Sequence, residues 1–279
     1  MKIGFISHEL DEATLAFAVE HGFAAIEWAG FAHGAAAAGA VGLVERFRRE
    51  HGLDPVALGT AVNPLHPDAG ERQRAQAYLD ELVALCPRLG ARYVSNVSGW
   101  DPRQDVPANL RLLAEYYRPL AQRARQQGVS IVFENCPHGY PFPGGHNLAV
   151  TPPLWQMVFE AIAEDNVGLE FDPSHLVWQG IDCVEACRRS MPWIKLVHAK
   201  DTEIRRDCLT VAGIYGADWW RYRLPGYGEV DFPRLIQVLH EAGYDGLVLI
   251  EHEDPFFEGE RRLEGLLAGK RYLDRSIVP

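Results

Sequence analysis

Eight short apolar runs, each followed by a longer amphipathic segment, constrain this chain more than any other feature of it. Runs of Val, Ile, Ala, Leu and Phe that are too short for helices read as strands buried on both faces. Their alternation with helical segments marks βα units around a parallel sheet. The strands are predicted at residues 2–7, 24–28, 55–60, 92–96, 130–134, 168–172, 194–198 and 247–251, with helices among them at 71–89, 107–127, 152–163, 232–242 and 259–274. Gly22, Gly52, Gly90, Gly128 and Gly243 stand where a left-handed cap would stop a helix before the next strand. Thr151 before Pro152 reads as an N-cap with proline in the first turn.

Eight such units predict an α/β fold, a single (β/α)8 TIM barrel spanning residues 1–279 as one domain. A doubly wound sheet is the alternative, but no Gly-x-Gly-x-x-Gly follows the first strand. The longest connection, 202–230, follows a strand rather than preceding one, so the elaborated rim is at the C-terminal strand ends, where barrel enzymes carry their sites.

The net charge of −11 speaks against a nucleic-acid partner, because phosphate binding needs a basic surface. No apolar run approaches the roughly 18 residues of a membrane span. Met1-Lys-Ile-Gly-Phe-Ile opens directly as a strand, without the pattern of a signal peptide, which makes the cytoplasm the expected location. Five cysteines, an odd number, argue for free thiols over a disulfide framework. Cys183 and Cys187, one helical turn apart, read as core filler, with a soft-metal site as the minor alternative.

Four strand ends in the second half carry groups that bind divalent cations: Glu134, Asp172, His198 and Glu251. One such residue only marks where a strand meets solvent; four at matching positions of successive strands converge on one axis in a barrel. Three carboxylates and one imidazole form an oxygen-rich site suited to Mn²⁺, with Mg²⁺ or Co²⁺ as alternatives. His175, three residues past Asp172 across a proline-stiffened turn, is a further candidate to face the same site. Lys200 and Asp201 after His198, Asn135 after Glu134, and His252 or Glu253 after Glu251 could support it.

Residues 134–137 (ENCP), 171–182 (FDPSHLVWQGID), 198–204 (HAKDTEI), 223–232 (RLPGYGEVDF) and 243–254 (GYDGLVLIEHED) resemble the sugar isomerase/epimerase family with the xylose-isomerase-like barrel, along essentially the whole chain. The resemblance implies Glu134, Asp172, His198 and Glu251 as metal ligands, His175 as a substrate contact, and Glu134 with Glu251 as the acid/base pair. The function it implies is a metal-dependent isomerase or epimerase acting on a keto-sugar or related polyol through an enediolate. A lyase or dehydratase on a keto-sugar or 3-keto-glycoside is the alternative, since the family includes both.

Sugar hydroxyls need donors and acceptors, and Lys200, His8 and Glu27 are assigned as such contacts. Trp178 is the expected pocket wall. The stretch 219–223 reads as a lid whose Arg223 grips an oxyanion, or as a contact within a homo- or hetero-oligomer. Two rivals remain. A repair endonuclease of similar fold needs a histidine near the fourth strand end, where residues 94–100 (VSNVSGW) have none; a non-catalytic barrel subunit would not need the ligand set. The expected partner is therefore a small carbohydrate.

Overall fold

A computed structural model of the chain describes residues 1–29, 35–53, 55–137 and 145–277. In chain order the elements are β1 (Lys2–Ser7), α1 (Glu12–Glu20), β2 (Ile26–Trp28), α2 (Ala35–His51), β3 (Pro55–Gly59), α3 (Ala69–Leu89), β4 (Tyr93–Asn96), α4 (Val106–Gln126), β5 (Ser130–Glu134) and α5 (Pro152–Ile162). There follow β6 (Val167–Phe171), α6 (Ser174–Val177), α7 (Cys183–Ser190), β7 (Ile194–Ala199), β8 (Asp201–Ile204), α8 (Arg206–Ala212), β9 (Trp220–Arg223), α9 (Phe232–Glu241), β10 (Leu247–Ile250) and α10 (Arg262–Leu273).

Eight strands close into a parallel barrel in the order β1-β10-β7-β6-β5-β4-β3-β2. Registers set which residues share a level: Lys2 pairs with Leu247, Leu249 with His198, and Glu134 with Glu170. Strands β3, β6 and β10 are buried along their whole length, as expected of parallel strands covered on both faces. Among the described residues, β8 and β9 form a separate antiparallel hairpin that starts one residue before the expected 202–230 connection.

The helix ends follow the local chemistry. Asp11, Asp68, Asp105, Asp182 and Asp231 cap α1, α3, α4, α7 and α9, each accepting backbone N–H bonds of the first turn. The five glycines assigned as stops all take positive φ. Thr151 precedes α5 in extended conformation, but its side chain makes no capping bond. Pro153 removes the N–H at the second helical position, one of the two that a cap side chain can satisfy.

The chain divides into two compact units. One comprises Ser7–Glu170 and Trp193–Lys195. Its helix α3 buries Leu79, Leu82, Cys86 and Leu89, a three- and four-residue spacing that makes one apolar face. Aromatic rings continue that core from Tyr117 to Phe133 (4.7 Å between centroids), Phe159 (6.1 Å) and Trp193 (5.7 Å). Each fully buried side chain of this size contributes about 1.5–3 kcal/mol through water exclusion.

The other unit comprises Met1–Ile6, Phe171–Pro192 and Leu196–Pro279. In it α9 buries Phe232, Leu235, Ile236 and Leu239 and packs with α7. Cys183 and Cys187 are buried on α7, and burial pushes both thiols up to about 12. They are protonated core residues, as the main sequence reading has them. Among the described residues, no helix is long and apolar enough to cross a membrane.

Candidate active site

Strand β6 is an apolar run that ends at Phe171, and the next residue, Asp172, is fully buried. Pro173 turns the chain into the single-turn α6, and the Asp172 carboxylate accepts the Ser174 N–H at 2.8 Å. This short turn brings His175 back onto the same carboxylate, with Nε2 3.2 Å from Asp172 Oδ2. The other ring nitrogen, Nδ1, lies 2.7 Å from the Tyr222 hydroxyl.

Strand β7 carries His198 near its end, and β10 delivers Glu251 immediately after its last residue. His198 Nδ1 is 3.2 Å from Glu251 Oε2. Donor atoms of Asp172, His198 and Glu251 lie within 4.8 Å of one another. Between the two carboxylates sits Lys200, only 2% exposed, its Nζ 3.2 Å from Asp172 Oδ2, 2.8 Å from Glu251 Oε2 and 3.1 Å from Glu253 Oε2. The Tyr222 ring centroid is 4.5 Å from the same ammonium.

Three carboxylates against one ammonium leave this place negative, and buried charge of one sign is costly unless a cation or hydrogen bonds offset it. The residues present therefore fit a divalent cation: carboxylate oxygens and one imidazole form a donor set that catalytic Zn²⁺ and Mn²⁺ both accept.

Tyr222 arrives on the β8–β9 hairpin, where it pairs with Thr202. The Thr202 hydroxyl donates to the Ser174 carbonyl at 2.8 Å, which pins the hairpin to α6. At the base of the hairpin the buried Asp201 carboxylate accepts four backbone N–H groups, from Thr202 (2.8 Å), Gly226 (3.1 Å), Gly228 (2.9 Å) and Val230 (2.9 Å). Burial pushes its carboxyl up to about 6 even though these amides pull it down. Trp178 stacks on Trp220 at 5.1 Å and 10°, next to Tyr222.

The stretch expected as a lid is thus strand β9. Its Arg223, assigned to an oxyanion, is engaged inside the protein, pairing with Glu203 and with the fully buried Asp254 (Nε to Oδ2 2.9 Å). Arg221 also pairs with Glu203, and its guanidinium holds the Glu203 carboxyl below the usual carboxylate range.

In the other unit, Glu134 is the last residue of β5, and its carbonyl accepts an N–H of the Asn147 side chain at 2.7 Å. Glu27 is buried at 2% exposure beside Gly59, where an added Cβ would stand 2.5 Å from its Oε1. His8 is exposed, and its carbonyl accepts the Trp28 indole N–H at 3.4 Å. One residue escaped the sequence reading, and one inside the expected lid took a part that was not foreseen. Glu170, fully buried and hydrogen-bonded by the Ser95 hydroxyl, was visible as an acid inside an apolar run. Tyr222 carried no local signal for its bond to His175.

A closed parallel barrel with an acid, imidazole and ammonium cluster at its strand ends defines a class in which chemistry is done at the C-terminal rim. The xylose isomerase-like TIM barrel family model matches residues 15–275, and the chain belongs to that family. It is similar to an inosose dehydratase of Clostridium perfringens, 27% identical over 194 residues, which is 67% of this chain and 58% of that protein. The chain thus spans a little over half the length of this curated relative. Among solved structures it resembles the IolI protein with a bound zinc atom (TM-score 0.78, 20% identity, 100% of both chains covered). It also resembles the 3-keto-D-glucoside 4-epimerase YcjR of E. coli (TM-score 0.75, 15% identity, 99% of both chains). At these identities the two structures show a shared fold.

Proposed function

We propose that this chain is a divalent-metal-dependent lyase that removes water from a keto-polyol or keto-sugar. The observation that carries the reading is the meeting of Asp172, His198 and Glu251 around Lys200. Glu134 is the proposed fourth ligand. It ends β5 and pairs in register with Glu170, two residues ahead of Asp172 in the chain.

When bound, the ion stabilises negative charge developing on the substrate's carbonyl oxygen, an effect worth several kcal/mol. Glu134 and Glu251 serve as the acid/base pair: one takes the proton from the carbon beside the carbonyl, and the other protonates the departing hydroxyl. Each transfer contributes roughly 10²- to 10⁴-fold. His175 has both ring nitrogens engaged, by Asp172 and by Tyr222, so its part is to hold the Asp172 carboxylate in place, while Trp178 walls the pocket. Mn²⁺ and Zn²⁺ are both suited to the donor set, and the zinc of the IolI protein supports the second.

Similarity to inosose dehydratase supports elimination over the isomerisation that the motifs first imply. Epimerisation is the second reading, favoured by the pair of strand-end glutamates, since the same two groups could return the proton to carbon. Inososes, keto-sugars and 3-keto-glycosides incubated in D₂O with Mn²⁺ or Zn²⁺ and read by mass spectrometry separate the two. Loss of water is the expected result; deuterium uptake without loss selects epimerisation; neither product from any substrate overturns both. Glu251→Gln should abolish turnover, and full activity of that variant would remove Glu251 from the acid/base pair.

A further inference from the structure

We infer that Lys200 is a resident counter-ion that competes with the metal for Asp172 and Glu251 and so sets how tightly the site holds its ion; this rests on the metal-dependent reading above. The Lys200 ammonium donates a hydrogen bond to Glu253 and pairs by charge with Asp172 and Glu251, the three carboxylates lying 2.8 to 3.2 Å from Nζ. Two of those carboxylates, Asp172 and Glu251, are the proposed ligands. The third, Glu253, is not, and its side chain is 49% exposed.

With Lys200 in this place, the two ligand carboxylates are spared each other's repulsion, so the metal-free site holds its shape. A divalent ion on the same oxygens would meet the ammonium as a like charge a few ångströms away, where burial leaves little water to screen it. Glu253 offers the way out: it lies two residues beyond Glu251 and already touches Nζ. Lys200 can give up Asp172 and Glu251 to the ion and keep Glu253, at the half-exposed edge. The Tyr222 ring faces the ammonium throughout and limits where it can go. Lys200 therefore supports the empty site and opposes the filled one.

The test uses the full chain stripped of metal, with Mn²⁺ and Zn²⁺ each titrated by calorimetry or chelator competition at fixed pH and salt. Lys200→Met should tighten both ions at least tenfold, lower the Tm of the metal-free protein and enlarge the rise in Tm on metal addition. Glu253→Gln should weaken both ions severalfold in the wild-type background, and that effect should disappear when Lys200→Met is already present. An affinity for Lys200→Met equal to or weaker than wild type overturns the inference. Should Lys200→Met fail to fold, Lys200→Gln carries the same expectation with a head group that still hydrogen-bonds its neighbours.

Glu251→Gln separates the two levels of argument. If wild type binds ions, Glu251→Gln abolishes binding and Lys200→Met changes nothing, the counter-ion role falls and the metal-dependent reading stands. If neither ion binds wild type or any variant, both fall.

Discussion

Replacing Gly228 by alanine tests how the site is held together. A Cβ there would stand 2.3 Å from Asp201 Oδ1, 2.6 Å from Asp201 Cγ and 2.5 Å from the Thr202 carbonyl oxygen. The carboxylate cannot swing aside, because four amides hold it, and the carbonyl belongs to the β8 backbone. The segment around Gly228 must lift instead, and lifting it costs the Gly226 and Gly228 N–H bonds to Asp201 Oδ2. Hydrogen bonds to a charged acceptor contribute about 1.5–3 kcal/mol each, so the loss is roughly 3–6 kcal/mol. For a chain of this size that lowers Tm by on the order of 10 °C.

The backbone of Gly228 is not among the positive-φ glycines, so crowding alone causes the loss. Gly22→Ala is the matched control: Gly22 has φ of 66° but nothing within 4 Å of an added Cβ, so only backbone strain of about 1–2 kcal/mol applies. Calorimetric melts of both variants give the comparison, and amide exchange at Gly226, Gly228 and Val230 should accelerate in Gly228→Ala only. A Gly228→Ala melt shifted less than that of Gly22→Ala would refute the Asp201 clamp.

Two further outcomes follow from the buried charges. Arg223→Ala leaves the fully buried Asp254 and its neighbour Glu203 without their shared cation, and urea unfolding should show a loss of about 3 kcal/mol or more; an unchanged midpoint would return Arg223 to the pool of substrate contacts. Asp201, with its carboxyl raised by burial to about 6, holds its proton more tightly folded than unfolded. Its contribution therefore favours the fold fully below about pH 4 and is lost as pH rises through about 6, roughly 3 kcal/mol in all. Asp201→Asn should flatten that stretch of the stability profile, measured as urea midpoints between pH 4 and pH 7, whereas a profile parallel to wild type excludes the assignment.

The strands were legible because their apolar runs are short and end in punctuation. Lys2–Ser7 and Ser130–Glu134 match the sequence reading at both ends, and the others shift by a residue or two. Asp172, His198 and Glu251 were legible for the same reason, each marking the end of such a run. The hairpin was not, since DTEI and WRYR are polar stretches separated by a helix and turns, and only pairing between them reveals strands. Tyr222 touches His175 across 47 positions, and Lys200 reaches Glu253 across 53. Local patterning holds no record of contacts at that range, so a residue's chemistry could be guessed where its partner could not.

The pairing of Lys2 with Leu247 has a consequence for how the protein is made. Strand β1 leaves the ribosome well before β10, and at about 5–20 residues per second the interval is on the order of tens of seconds. Until then β1 has an open edge where its last neighbour will be, and the barrel is an unfinished sheet. Glu251 comes directly after that final strand. Ring closure and completion of the cluster at its rim are thus one late event in the life of each chain, and a chain cut short before β10 loses both together.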